Sequence, residues 1–419
     1  MKASKDSPII YLYFFSIILL MLSSMKVCWL WSIPGRLLLF FAFFTTGITI
    51  TAKIFRNQDK NPIIVFAYVL IVLTGVIWGI PSSTIGGYIS NIFIRPFVIM
   101  GVLFLKDEYK HKLFEWFVAI LSIILLISIP AWLLYLTGFP FSHDPVYDVG
   151  DGYHFMFNYN FFVISYNSIG VITPRFASIF LEPGWIGTIC CFVLFGLKFN
   201  FKRLATYLCT IGILLSLSLS AVINLVVCGL LWSVLTIRHN SHKLKYFIGT
   251  IIIFGSIGLF AVFYNNGDNA LNERIMERLA FDEDIGIVGN NRSNETLDNY
   301  LEKTLKSSDR WFGIAQQMNS GFAKSKDWYN RSSGIKKQLL TYGIIGVSLL
   351  LLFFTLILRK YKCKQSFVFY ICFLMASFVR DLWQTDCYMI LYIIILSELY
   401  SYRKGKSKNI AYYARLPKK

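Results

Sequence analysis

The sequence predicts an all-α polytopic membrane protein, with about twelve transmembrane helices and two large extracytoplasmic loops. Three observations predict it. The 419 residues are 56% hydrophobic and 17% aromatic, with a mean hydropathy of +0.56, far too apolar for a soluble chain of this length. Apolar runs near the ~20 residues that a helix needs to cross ~30 Å of hydrocarbon recur from end to end. The formal net charge is +18, yet the majority of the 41 basic residues fall in alternate short loops and the C-terminal tail. That is the positive-inside pattern, and it accounts for the basic excess with no nucleic-acid partner.

In chain order, residues 1–137 carry the first five spans, at 8–25, 37–52, 62–80, 91–105 and 113–137. Lys2 and Lys5 precede the first apolar run without a small-residue cleavage site, so that run reads as a span and not as a cleaved signal. Residues 138–182 form an outer loop. Residues 183–264 carry four spans, at 183–198, 204–219, 221–237 and 246–264. Ser216, Ser218 and Ser220 leave almost no loop inside the pair 204–237, which is short enough to be re-entrant. Residues 265–337 form the second large outer loop. Residues 338–402 carry the last three spans, at 338–358, 366–382 and 385–401, and 403–419 is a basic tail. Lys53, Arg56 and Lys60, then Lys106, Lys110 and Lys112, and Arg359, Lys360, Lys362 and Lys364 lie in loops of one set. That set faces the cytoplasm, so both termini do too.

Long loops on a helical scaffold are candidates for a site. The first is aromatic-rich from Tyr153 to Tyr166, which suits an interfacial belt or a platform on which sugar rings stack. The second has equal numbers of basic and acidic residues and two helical stretches. Leu271, Ile275 and Leu279 repeat at helical spacing and put Arg274 and Arg278 on another face. A further helix spans about 294 to 306, with Ser293 and Asn294 as caps and Leu297, Leu301 and Leu305 on one side. The two loops contain no cysteine, and no Cys/His cluster with metal-ligand spacing occurs anywhere, so no metal is expected. His143 and His154 read as surface residues.

Arg175 and Glu182 are the only arginine and the only glutamate between Glu115 and Lys198. Charges at a hydrocarbon boundary are expensive unless paired, hydrated or used. The pair makes either a salt bridge that anchors a helix or part of a site. Pro183 fits the first turn of a helix, with Glu182 at its positive end. Arg95, in Ile-Phe-Ile-Arg-Pro-Phe near the outer end of a span, costs ~2.5–3.5 kcal/mol on insertion scales. Its planar fork suits phosphate, against the alternative of a snorkelling side chain beside a kinking Pro96. No nucleotide loop, nucleophile triad or metal-binding acid pair is present, so no cofactor is expected. What remains is a set of outer arginines, Arg95, Arg175, Arg274, Arg278, Arg292, Arg310 and Arg331, with a few carboxylates. That inventory suits an anionic, lipid-anchored substrate.

The stretch from Arg175 to Gly187 resembles the Arg...Glu-Pro-x-x-x-Gly segment of O-antigen and capsule polymerases of the Wzy type, relatives of the O-antigen ligases. Leu217 to Ala221 resembles their Ser-rich turn. Arg292 followed by Trp311-Phe312-Gly313-Ile314 resembles their Arg...Phe-Gly-x-Gly segment, with Ala315 replacing the last glycine. Tyr342-Gly343-Ile344-Ile345-Gly346 resembles their Gly-x-x-Gly. The motifs are short, and their order over nearly the whole chain makes the match. Ser332 and Ser333 stand where ligases have a His-Asn pair, which favours a polymerase over a ligase. The resemblance implies a GT-C-like helical bundle in the bacterial inner membrane. Its substrate would be an undecaprenyl-pyrophosphate-linked oligosaccharide, with a chain-length regulator protein as a further partner. It implies Glu182 and Arg175 as catalytic residues, Arg95, Arg175 and Arg292 around the pyrophosphate, and Arg274, Arg278 and Arg331 as secondary candidates. Ligase and lipid-linked oligosaccharide flippase are the competing functions.

Overall fold

Twelve helices of ten residues or more occur among the described residues of the computed structural model. They are α1 (Pro8–Ser24), α2 (Gly35–Thr51), α3 (Pro62–Trp78), α4 (Arg95–Phe104), α5 (Asp107–Leu136), α6 (Pro183–Gly196), α7 (Leu204–Leu215), α8 (Leu219–Ile237), α9 (Glu295–Lys306), α10 (Gly334–Lys360), α11 (Lys364–Val379) and α12 (Asp386–Tyr413). The described residues are 8–51, 61–78, 87, 89–144, 147–148, 155–165, 174–237, 256, 260, 263–269, 272–279, 281–282, 286–287, 295–315, 334–380, 382–383 and 385–413. The boundaries have local causes. Pro8, Pro62 and Pro183 occupy the first position of α1, α3 and α6, where a missing N–H costs nothing. A π-helical turn at Ser90–Ile94 leads into α4. The Cys363 side chain caps α11 by accepting from the Ser366 N–H.

Eleven of these helices fall on expected spans; α9 is the helix expected in the second loop. The expected span 246–264 lies almost wholly outside the described residues. Among the described residues, only α5 and α10 are long and apolar enough, by length and composition, to cross a membrane. Most of the other apolar helices have 10–17 residues. At ~1.5 Å per residue a 17-residue helix reaches ~25 Å, short of a ~30 Å hydrocarbon core. The all-α expectation therefore holds as a helical bundle, while the twelve full-length spans do not appear as such.

Helix α12 is the hub, packing on α1, α4, α5, α6, α10 and α11. From Cys387 to Leu396 every residue is buried, as a helix apolar on all sides must be. Tyr388 and Tyr392 lie edge-on to Phe192 and Phe354 respectively, and the Tyr392 hydroxyl donates to the Phe354 carbonyl at 2.8 Å. The peripheral helices show the converse. Leu37, Phe40, Phe44 and Ile48 on α2, Val65, Phe66, Val69, Leu73 and Val76 on α3, and Leu204, Tyr207, Ile211 and Leu214 on α7 are all exposed. They repeat at the three- and four-residue spacing of single helix faces.

The first loop carries a small antiparallel sheet, β1 (Tyr147–Asp148), β2 (Phe155–Asn158) and β3 (Val163–Ser165). Its turn places Asn160 at φ 64°, a conformation that asparagine tolerates. Tyr159 and Phe162 stack at 4.7 Å and are buried, while Phe161 is exposed, so two of the loop's aromatic rings form a small core under it. A two-stranded sheet, β4 (Phe281–Asp282) with β5 (Gly286–Ile287), lies in the second loop.

Gly313 and Gly343 form a backbone clasp between the second loop and α10. Gly343 breaks α10 at φ 62°, ψ −171°, a region open essentially to glycine alone, and Gly313 has φ 73°. A Cβ at Gly343 would stand 2.5 Å from the Gly313 nitrogen, and one at Gly313 would stand 2.6 Å from the Gly343 nitrogen. The Ile314 N–H donates to Leu340 at 2.7 Å and the Ile345 N–H to Trp311 at 3.0 Å, which sews the strip to the break. Leu297 of α9 joins Ile314 and Leu340 in a small separate core.

Candidate functional site

Glu182 is the last extended residue before α6 (φ −135°, ψ 146°), and its side chain makes no capping bond to that helix. It reaches Arg380, at the C-terminal end of α11, whose Nη1 donates to Glu182 Oε2 at 2.7 Å. Glu182 is 24% and Arg380 12% exposed. Gly184 permits the contact, because a Cβ there would stand 1.8 Å from Arg380 Nη2. The carboxylate thus sits between a guanidinium and the positive end of the α6 dipole.

Six positions further on, Asp386 opens α12 and is buried. Its partner is Arg95, with Nη2 donating to Oδ2 at 3.3 Å. The Nε to Oδ1 distance of 2.8 Å is an ion-pair contact without hydrogen-bond alignment. Arg380 and Asp386 are thus each matched from a different part of the chain, and they stand at the two ends of the connection from α11 to α12. The Leu382 N–H donating to Arg380 at 2.9 Å and the Thr385 N–H to Leu382 at 3.2 Å fold it tightly. Gly334, the first residue of α10, crosses it at backbone contact: a Cβ there would stand 2.3 Å from the Arg380 carbonyl oxygen.

Arg175 donates from Nε to the Ser216 carbonyl at 3.1 Å, and the Phe176 N–H donates to Leu215 at 3.2 Å. Arg175 is thereby tied to the turn between α7 and α8. Gly187 of α6 packs on the same turn, where a Cβ would meet Ala221 at 2.7 Å and Ser216 Oγ at 3.0 Å. The salt bridge of Glu182 is thus made with Arg380, while Arg175 engages a carbonyl that ends a helix, a favourable place for a cation.

Arg95 lies in the wall between two cavities. The larger, about 440 Å³, is bordered by Ser23, Ser24, Arg36, Asn91, Thr385 and Asp386. The smaller, about 90 Å³, is bordered by Thr74, Trp78, Asn91, Tyr342 and Trp383. Trp78 donates from Nε1 to the Phe312 carbonyl at 2.7 Å, so the clasp forms one flank of the smaller cavity.

The other expected site residues are less informative. Arg274 lies on the helical turn Asn272–Met276 and Arg278 on the turn Glu277–Leu279, with both side chains outside the described set. Arg292 and Arg331 fall outside the described residues. Arg310 lies over the Trp311 ring at 4.9 Å, and His143 packs edge-on against Phe157 at 4.9 Å. Among the described residues no group of three or more His, Cys, Asp or Glu could hold a metal ion. Arg380 and Asp386 escaped the sequence reading. One signal pointed to Arg380: it is a basic residue in a short loop on the side opposite the basic loops, and so an exception to the charge rule.

No protein-family model matches the chain, and no protein of curated function matches it in sequence.

Proposed function

We propose that this chain is a glycosyltransferase of the bacterial inner membrane, with both termini in the cytoplasm. It joins polyprenyl-pyrophosphate-linked oligosaccharide repeat units into O-antigen or capsular polysaccharide at the periplasmic face. One observation carries the reading: the Glu182–Arg380 and Arg95–Asp386 pairs sit at the two ends of the connection 380–386, and the second pair borders a cavity of about 440 Å³. Insertion in a membrane, with α5 and α10 as full spans, is supported by the exposed apolar stripes of α2, α3 and α7. A soluble protein rarely exposes such surface, whereas hydrocarbon covers it.

In the reaction, the anomeric C–O bond between the growing saccharide and its lipid pyrophosphate breaks, and its electron pair leaves with the pyrophosphate. The hydroxyl oxygen of a new lipid-linked unit forms the replacing bond and gives up its proton. Arg95 and Arg36, at the larger cavity, are placed to hold the departing phosphates, since fixed guanidinium charge stabilises negative charge as it develops. Glu182 takes the proton. Arg175, hydrogen-bonded to Ser216, positions the start of α6 and adds positive charge there.

The test is a polysaccharide gel from a strain lacking this chain, complemented with wild type or Glu182→Gln at matched protein level. The proposal expects single repeat units on the lipid core in the deletion, a ladder with wild type and none with the variant. A ladder in the deletion strain rejects the function, and bare core points to ligation or export.

A further inference from the structure

We propose that the groove between α10 and α11, at the end of the bundle opposite the candidate site, binds one anionic glycerophospholipid of the cytoplasmic leaflet. The inference rests on membrane insertion and is independent of the transferase reading. The end of α10 and the start of α11 border an open groove of about 730 Å³. Leu358 and Phe367 supply apolar wall, and Arg359, Lys362 and Lys364 stand at its rim. Phe367 and all three cations are exposed.

Several basic groups at this end of the molecule have carboxylate partners: Lys110 has Asp107, Lys198 and His111 share Glu398, and Arg203 has Glu115. Lys360 lies over the Tyr361 ring at 5.1 Å. Among the described residues, no carboxylate pairs with Arg359, Lys362 or Lys364. Three unmatched cations over an apolar slot define the chemistry of the occupant. It carries a phosphate to meet a guanidinium fork and two ammonium groups, and a hydrocarbon chain to cover Leu358 and Phe367. A free phosphate would leave the slot wet, and a zwitterionic lipid would leave positive charge uncompensated. Basic pockets between helices on the cytoplasmic side take anionic headgroups for this reason. The positive-inside bias alone places cations in the loop, but it does not require a groove beneath them.

The test uses the full chain purified in detergent, titrated with phosphatidylglycerol or phosphatidylcholine of matched chains and read by native mass spectrometry. One phosphatidylglycerol per chain is expected, held at least tenfold more tightly than phosphatidylcholine. The variant R359Q/K362Q/K364Q loses that preference at unchanged melting temperature, and R359K/K362R/K364R keeps it. Glycerol phosphate, which has the headgroup charge and no chains, does not displace the lipid. Equal retention of the two lipids overturns the proposal, as does undiminished preference in the triple glutamine variant, displacement by glycerol phosphate, or a lipid-free dimer that closes the groove. Should the triple variant not fold, Leu358→Trp fills the slot with the charges intact. Phosphatidylglycerol retention then falls, and retention at the wild-type level overturns the proposal.

Discussion

Arg380 donates from Nη1 to Glu182 Oε2 across 2.7 Å and thereby ties the end of α11 to the start of α6. On the proposed reaction the pair has two separable jobs, since Glu182 takes a proton and Arg380 holds it in place. Glu182→Gln preserves shape and removes the base, so polymer synthesis by membranes supplied with lipid-linked repeat units should fall by about 10²-fold or more. Arg380→Lys keeps the charge and loses the planar fork, and should retain a measurable part of that rate. If Glu182→Gln polymerises at the wild-type rate, Glu182 is only an anchor.

Gly184 tests the same contact without touching a charge. Ala at 184 would place its Cβ 1.8 Å from Arg380 Nη2, so the guanidinium must move and the pair must open. We expect Gly184→Ala to lower stability by about 1–3 kcal/mol, the usual range for overpacking, and to lower polymer yield. Arg380→Lys, with a slimmer end group, should recover part of the stability in the double variant. Thermal unfolding of purified protein in detergent reads both effects, and additive losses in the double variant would sink the account.

The helices, their order and the turn chemistry were legible in the sequence because apolar period and proline position are local signals. The start of α6 at Pro183 and the loop helix α9 follow from neighbours within a few residues. The partners of Glu182 and Arg95 were not legible. They lie 198 and 291 positions away, and a single chain carries no local mark of which charges meet across a bundle. The packing of the loop aromatics was not legible for a related reason: Tyr159 and Phe162 bury each other while Phe161 is exposed, and composition does not distinguish a ring facing outward from one facing another ring.

The glycine clasp makes a stability prediction that does not depend on function. Gly343→Ala forces a side chain into φ 62°, ψ −171° and onto the Gly313 backbone at 2.5 Å, at a cost of about 3 kcal/mol. Gly313→Ala should cost a similar amount. The two positions face each other, so the double variant should lose less than the sum, because the first opening of the clasp relieves the second clash. Denaturation of the three variants against wild type measures the coupling, and strict additivity would show that the clasp is not one unit.

The Arg95–Asp386 pair makes the last prediction, and its two readouts should move in opposite directions. Asp386 is 6% and Arg95 33% exposed at the side chain, so replacing the carboxylate leaves a part-exposed guanidinium without its partner, at a cost of about 1 kcal/mol. Asp386→Asn should therefore lower the unfolding temperature. The same change frees a guanidinium that borders the 440 Å³ cavity. On the proposed function Asp386 competes with the substrate's phosphates for Arg95, so affinity for a short-chain polyprenyl pyrophosphate should rise in Asp386→Asn and fall in Arg95→Gln. Calorimetric titration in detergent compares them. A loss of affinity in both would mean that Asp386 orients Arg95 toward the ligand and does not compete with it.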